Sequence, residues 1–213
     1  MRIDPAAWPF VLGASGVGVA GGVAFGWPWA VPGLLLAIVC LLFFRDPHRQ
    51  VPSLAETVLS PADGRVMIAG PPIGTNVPAG DWQQISIFLS PLDVHINRIP
   101  LSGRVTQVEY HPGRFLPAYK REAGDLNEYT EIRLEHGAQT IVVRQIVGLL
   151  ARRIVCRVLP GAVVRAGDRY GVMKFGSRMD LFIPTDATLK VAVGDRVTAG
   201  MTPLAELALR TAP

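Results

Sequence analysis

Between Ala6 and Phe44 the chain carries no charged residue. Such a run is longer than a signal-peptide core and longer than a single transmembrane helix needs. The segment Gly26-Trp-Pro-Trp-Ala-Val-Pro-Gly33 divides it, leaving about 19 apolar residues before the break and about 11 after it. Pro and Gly at the break interrupt a helix, so residues 1–45 read as a hydrophobic helical hairpin that anchors the protein in a membrane. Trp8, Trp27 and Trp29 flank the two segments, as interfacial aromatics do. Arg2 precedes the run, and Arg45 and Arg49 follow it. The positive-inside rule then puts both ends, and everything beyond residue 45, on the cytoplasmic side of the cell membrane. A hairpin buried in a soluble core would need complementary apolar surface, and the remaining sequence does not offer it.

The formal net charge is +4 and the pI is about 9.4, which suits a surface of anionic membrane lipid. A nucleic acid would suit the charge equally, but no recognition motif or aromatic-interleaved basic cluster accompanies it. The two cysteines, Cys40 and Cys156, have no spacing that suggests a disulfide or a metal site. They fit a reducing compartment, and no metal is expected.

Residues 46–213 read as mainly β, a compact body of short strands. Runs such as Gln84–Leu89, Arg104–Tyr110, Thr140–Arg144 and Ile154–Val158 are alternating or apolar and are broken by Gly and Pro. Near the C-terminus Val163–Tyr170 and Lys190–Val197 echo each other, both running into Gly-Asp-Arg, 27 residues apart. Paired Gly-Asp turns suggest two related hairpins packed as a small sandwich, and Ala62-Asp63-Gly64 has the same flavour. This layout resembles the hybrid barrel of biotinyl and lipoyl carrier domains, in which a modified lysine sits on an exposed hairpin near where Lys174 falls. That yields one alternative, a membrane-tethered carrier using Lys174. Val172 and Phe175 depart from the Ala-Met-Lys-Met pattern of biotinylated lysines.

Gly176-Ser177 carries a different chemistry. A serine hydroxyl can attack the preceding carbonyl, and β-elimination from the resulting ester breaks the chain. The new N-terminus then hydrolyses to a pyruvoyl group, a ketone that serves as an electron sink. Alone, the dipeptide is a turn signal. Self-cleavage also needs a base and decarboxylation a proton donor, roles that histidine fills near neutral pH. Of the four histidines, His48 follows the apolar run and His136 sits in a hairpin turn. His111 lies in Tyr110-His-Pro-Gly113, and His95 ends a strand-like run, where sites are often built.

Four ordered segments, Phe43–Pro47, Ser60–Gly64, Phe88–Pro100 and Lys174–Arg178, together with the weaker Asn127-Glu128 and Ile146-Val-Gly148, resemble the phosphatidylserine decarboxylase proenzymes of the short prokaryotic type. The resemblance implies self-cleavage between Gly176 and Ser177 into a long chain, 1–176, and a short pyruvoyl chain, 177–213, which stay associated. It implies conversion of phosphatidylserine to phosphatidylethanolamine and CO2 through a Schiff base on the pyruvoyl group derived from Ser177. By the same resemblance His95 is an active-site residue and Asp63 orients a histidine, with Asp93 and Glu128 in support. Arg98 stands where longer relatives carry a second histidine thought to be the cleavage base, and an arginine cannot serve as one. His95 then does both jobs, or another group takes the first. The loop His111–Arg121 offers Phe115, Leu116 and Tyr119 to lipid and Arg114, Lys120 and Arg121 to phosphates. A non-catalytic membrane scaffold is the remaining alternative, and homo-oligomerisation is left open.

Overall fold

The computed structural model describes residues 1–53, 55–149, 153–174 and 176–209. Phe175, within the Lys174–Arg178 segment, lies outside the described residues. The chain divides into two compact units, Met1–His48 and Arg49–Pro213.

The first unit is a helical hairpin: α1 (Trp8–Phe25), a 3-10 turn (Trp27–Ala30) and α2 (Val31–Phe43). Asp4 caps its start by accepting the Ala6 N–H at 2.9 Å, and Gly26, at φ 96°, ends α1. Arg2–Ile3 pairs antiparallel with Arg45–Asp46, closing the open end. Glycine sets the helix–helix distance. A Cβ at Gly33 would lie 2.4 Å from the Gly18 Cα and 2.7 Å from the Ala14 carbonyl oxygen, so the backbones touch there. Leu12, Val17, Val23, Leu34, Leu35 and Leu36 point outward, a surface suited to lipid rather than water. Pro5–Phe25 is long and apolar enough to cross a membrane, whereas Trp27–Phe43 is shorter. At 1.5 Å per residue its 17 residues reach roughly 25 Å against a hydrocarbon core of about 30 Å.

The second unit is built on an eight-stranded antiparallel sheet. Its six long strands are β1 (Gly64–Gly70), β2 (Trp82–Leu89), β3 (Gly103–His111), β4 (Tyr129–His136), β5 (Gln139–Ile146) and β6 (Ser177–Pro184). They run in the order β3-β4-β5-β6-β2-β1, with Val163–Val164 added beside β3 and Arg196–Val197 beside β1. Two three-stranded sheets complete the body. One joins Ile154–Cys156, Arg169–Met173 and Ile96–Arg98, and the other joins Thr188–Leu189, Pro203–Glu206 and Thr57–Leu59. The core is apolar, with Ile85, Ile87 and Leu89 of β2 meeting Met179, Leu181 and Ile183 of β6 within it. Burial pushes the Cys156 thiol up from its ordinary value, which keeps it protonated and a poor nucleophile.

The fold is mostly antiparallel strands behind a helical hairpin, and no closed barrel forms among the described residues. The hybrid-barrel expectation fails at strand pairing. Val163–Val164 pairs with β3, Arg169–Met173 with Ile96–Arg98, and Arg196–Val197 with β1. The internal echo survives in the turns: Asp168 accepts the Arg165 N–H at 2.9 Å, and Asp195 accepts the Ala192 N–H at 2.8 Å. Turn geometry is local to the repeat, while partner strands are chosen by burial of whole faces.

Gly33→Leu is expected to destabilise the hairpin by about 1–3 kcal/mol through overpacking. Gly16→Leu, at a position with nothing within 4 Å, should be nearly neutral. Thermal unfolding of both variants in detergent, followed by circular dichroism, tests the contrast.

Candidate active site

Strands β2 and β6 pair along eight residues, with Ser177 opposite Leu89 and Pro184 opposite Trp82. The start of β6 therefore lies at the same sheet edge as the end of β2. From that end the chain turns through Ser90–Asp93, where the Asp93 carboxylate accepts the Ser90 N–H at 2.8 Å and the Asp93 N–H donates to the Ser90 carbonyl at 2.9 Å. The turn delivers His95, followed directly by Ile96–Arg98, which pairs with Arg169–Met173. The Met173 N–H donates to the His95 carbonyl at 3.3 Å, so the histidine backbone is held from the strand that leads into the Gly176 segment.

The His95 ring is fully buried, and its tautomer follows from its neighbours. Nδ1 lies 2.9 Å from the Asp93 carbonyl oxygen, which can only accept, so Nδ1 carries the proton. Nε2 accepts the Gly176 N–H at 3.2 Å. The imidazole thus presents an unprotonated nitrogen to the Gly176 peptide, the form a general base requires. Gly176 adopts φ 72°, a left-handed conformation that glycine takes without steric cost. Ser177 is 0% exposed, and its Oγ has no hydrogen-bond partner among the described residues. A buried hydroxyl left unpaired costs about 1–3 kcal/mol, and such an exception points to reactivity.

Strand alternation sends Ser177 toward the core with Met179 and Leu181, and Arg178 to the opposite face. There the buried Arg178 grips Asp180 through Nε at 2.6 Å and Nη2 at 2.9 Å, and Nη2 also donates to Ser86 Oγ at 3.0 Å. Gln84 donates to Asp180 at 3.0 Å. This network locks the first turn of β6 to β2 from the side opposite Ser177.

Beside Gly176 lies an apolar pocket of about 240 Å³ lined by Phe88, Pro91, Pro117, Ala118, Tyr119 and Leu149. The Tyr119 ring meets Phe88 edge-on at 6.1 Å. The loop that sequence reading offered to lipid therefore forms one wall of this pocket. Arg114, Lys120 and Arg121 of the same loop are exposed.

Of the residues singled out from the sequence, the structure brings His95, Gly176 and Ser177 together. Asp63 is held elsewhere. Its Oδ2 accepts Arg49 Nη2 at 2.8 Å and its Oδ1 accepts the Ala199 N–H at 2.8 Å. Its turn still supports the histidine strand, because the Arg98 N–H donates to the Pro61 carbonyl at 2.9 Å. Arg98 itself is buried and donates to the Gly167 carbonyl at 3.0 Å. Glu128 hydrogen-bonds Tyr110 and so pushes that phenol up from its ordinary value. Asp93 contributes through its turn and its carbonyl. Sequence reading missed Phe88, Ala118 and Leu149 as pocket walls, since an apolar side chain at a strand end or in a loop has no local mark of lining a cavity.

The Phosphatidylserine decarboxylase family model matches residues 36–205. The chain is similar to the phosphatidylserine decarboxylase proenzyme of Nitrosomonas europaea, 41% identical over 200 residues, covering 93% of this chain and 92% of that protein. It is 43% identical over 171 residues to the proenzyme of Pelodictyon phaeoclathratiforme, covering 80% of each. With the proenzyme of Cupriavidus taiwanensis it shares 38% identity over 204 residues, 94% of this chain and 93% of the relative.

Asn127, within the weaker Asn127-Glu128 match, staples the pocket together. Its Nδ2 donates to the Leu116 carbonyl at 2.7 Å and the Val147 carbonyl at 2.8 Å, and its Oδ1 accepts the Leu116 N–H at 2.9 Å. Asn127→Ala leaves buried backbone groups unsatisfied, and an expected loss of about 1–3 kcal/mol is measurable by urea unfolding.

Proposed function

This chain belongs to the phosphatidylserine decarboxylase family, and we propose that the Gly176–Ser177 bond is where it cuts itself. Decarboxylation of phosphatidylserine to phosphatidylethanolamine is the activity of that family, whose members are made as proenzymes and depend on a pyruvoyl group. The observation that carries the reading is a Gly176–Ser177 unit with a buried serine hydroxyl that has no hydrogen-bond partner among the described residues and an unprotonated His95 nitrogen at the Gly176 N–H.

In this reading His95 Nε2 takes the hydroxyl proton as Ser177 Oγ attacks the Gly176 carbonyl carbon. The ester then eliminates, leaving Gly176 as a new carboxylate terminus and the chain 177–213 with its modified residue at the front. The short chain stays because β6 is a central strand, paired with β2 on one side and β5 on the other. A pyruvoyl group derived from Ser177 would be held at the start of β6 and would supply a ketone as an electron sink for decarboxylation of an amine substrate. Around it, the apolar pocket excludes water and His95 moves the proton. Asp63 enters as a positioning residue, through the turn that holds Ile96–Arg98.

The partner is a lipid presented at a membrane surface. Leu92, Tyr119 and Leu149, exposed by 83%, 62% and 58%, belong to segments that wall the pocket, and exposed Arg114, Lys120 and Arg121 complement anionic headgroups. Arg2, Arg45 and Arg49, flanking the apolar run, support a cytoplasmic side for the catalytic body. Membership of a decarboxylase family weighs against the carrier reading of Lys174 and the scaffold reading.

A denaturing intact-mass spectrum of the purified protein is expected to give two chains split after Gly176, the smaller carrying a ketone in place of its amine. Ser177→Ala should give one chain at the 23.0 kDa of the full sequence, without decarboxylase activity. Cleavage or activity in that variant overturns the reading. His95→Gln is expected to leave the chain uncut, whereas Asp63→Asn should slow cleavage less than the 10²–10⁴-fold typical of losing a general base. Time courses on denaturing gels compare the two.

A further inference from the structure

The carbonyl at which the chain is proposed to cut lies against a second stretch of backbone. At Gly148 an added Cβ would sit 2.2 Å from the Gly176 carbonyl oxygen, 3.2 Å from its carbonyl carbon and 3.3 Å from the Ala118 Cβ. Real Cβ atoms essentially never come within 3.0 Å of such a neighbour. Gly148 does not have the positive φ that marks Gly176 and other glycines here. Its backbone conformation therefore suits any residue, and what demands glycine is the space beside the Gly176 oxygen.

The Gly148 segment is also unable to retreat. The Val147 carbonyl accepts Asn127 Nδ2 at 2.8 Å, and the Val147 N–H donates to the Glu128 carbonyl at 3.1 Å. One residue earlier, Ile146 is in register with Arg178, two positions beyond Gly176. With both backbones pinned, any side chain at 148 must displace the Gly176 carbonyl by roughly 1 Å.

We propose that Gly148 is a positioning residue for self-cleavage, its missing side chain setting the Gly176 carbonyl where Ser177 Oγ can reach the carbon. This rests on the reading that the chain cuts at Gly176–Ser177. In the step concerned, a bond forms between Ser177 Oγ and the Gly176 carbonyl carbon while the Gly176–Ser177 C–N bond breaks. The hydroxyl proton passes to His95 Nε2 and then to the departing Ser177 nitrogen, so an amide becomes an ester and an amine with nothing oxidised or reduced. A misplacement of about 1 Å in such a step costs on the order of 10²-fold in rate.

The experiment follows the cleavage rate of the full chain by intact mass and denaturing gel, in wild type, Gly148→Ala and Gly148→Ala/Ala118→Gly. Folding is monitored by circular dichroism in the uncleavable Ser177→Ala background. Wild type that is not cut after Gly176 would sink the self-cleavage reading itself. With wild type cut, Gly148→Ala is expected to fold and to cleave about 10²-fold more slowly. The double variant, relieved of the Ala118 contact but not of the Gly176 oxygen, should stay slow. Hydroxylamine, which splits esters, should release no short chain from uncut Gly148→Ala, because the block precedes ester formation. Wild-type cleavage in Gly148→Ala, rescue by Ala118→Gly, accumulation of a hydroxylamine-sensitive ester, or failure of both variants to fold would each overturn the proposal. The first three would remove Gly148 from the attack step, and the last would make it a packing residue.

Discussion

The site depends on one register. β2 and β6 are separated by almost ninety residues of chain, and their antiparallel pairing with Ser177 opposite Leu89 decides which atoms meet at the sheet edge. A slip of one residue would exchange the faces of Ser177 and Arg178. It would drive the Arg178 guanidinium and the Asp180 carboxylate together into the apolar core and put the serine on the face of Ser86 and Gln84. The sequence guards against this on both faces. Met179, Leu181 and Ile183 have a buried place only in the observed register, and the Arg178–Asp180 pair meets Ser86 and Gln84 only on the other side. A slip would carry both charged groups into the apolar core, where polar groups without hydrogen-bond partners are costly to bury, so that polar network works as a register lock.

Once the register is set, the proposed chemistry follows from what surrounds Gly176 and Ser177. The Asp93 carbonyl fixes the tautomer of His95, the tautomer aims a lone pair at the Gly176 N–H, and Ser177 Oγ has no partner among the described residues. Protein interiors rarely leave a hydroxyl in that state. Among the carbonyls next to it in the chain, that of Gly176, held against Gly148, is the one Oγ reaches through a five-membered ring. The same arrangement explains why a cut chain would not fall apart. The cut lies at the end of β6 rather than within it, so the strand keeps its hydrogen bonds to β2 and β5.

The helical unit follows a different packing pattern. Its outward face is Leu, Val, Ile and Trp, while its inner face uses glycine to bring two backbones into contact. In hydrocarbon, burying more leucine between helices gains little, and close packing of small residues takes over. The chain thus joins a unit whose apolar side chains face outward to a body whose apolar side chains face inward.

Much of this was legible before any coordinates. The uncharged run with a Trp-Pro break reads as a helical hairpin because hydropathy and helix-breaking are local properties. The strands at Gln84–Leu89 and Thr140–Arg144 read from their apolar patterning for the same reason, the first two residues short at its start and the second one residue short at its start and two at its end. Gly176-Ser177 and His95 emerged as chemistry-bearing residues because their reactivity is intrinsic. Asp63 was legible as a turn, but its carboxylate partners, Arg49 and the Ala199 N–H, lie 14 and 136 residues away, beyond the reach of local pattern. The repeated Gly-Asp turns formed as local geometry requires, yet the strands they join belong to different sheets, and no closed barrel forms among the described residues. Sequence by itself determined the elements, the hairpin with its outward apolar face and the candidate reactive residue types, since all are set by composition and near neighbours. Tertiary structure alone decided that Gly148 abuts Gly176, that His95 faces its N–H and that Tyr119 walls the pocket, because those contacts exist only once strand register has brought remote segments together.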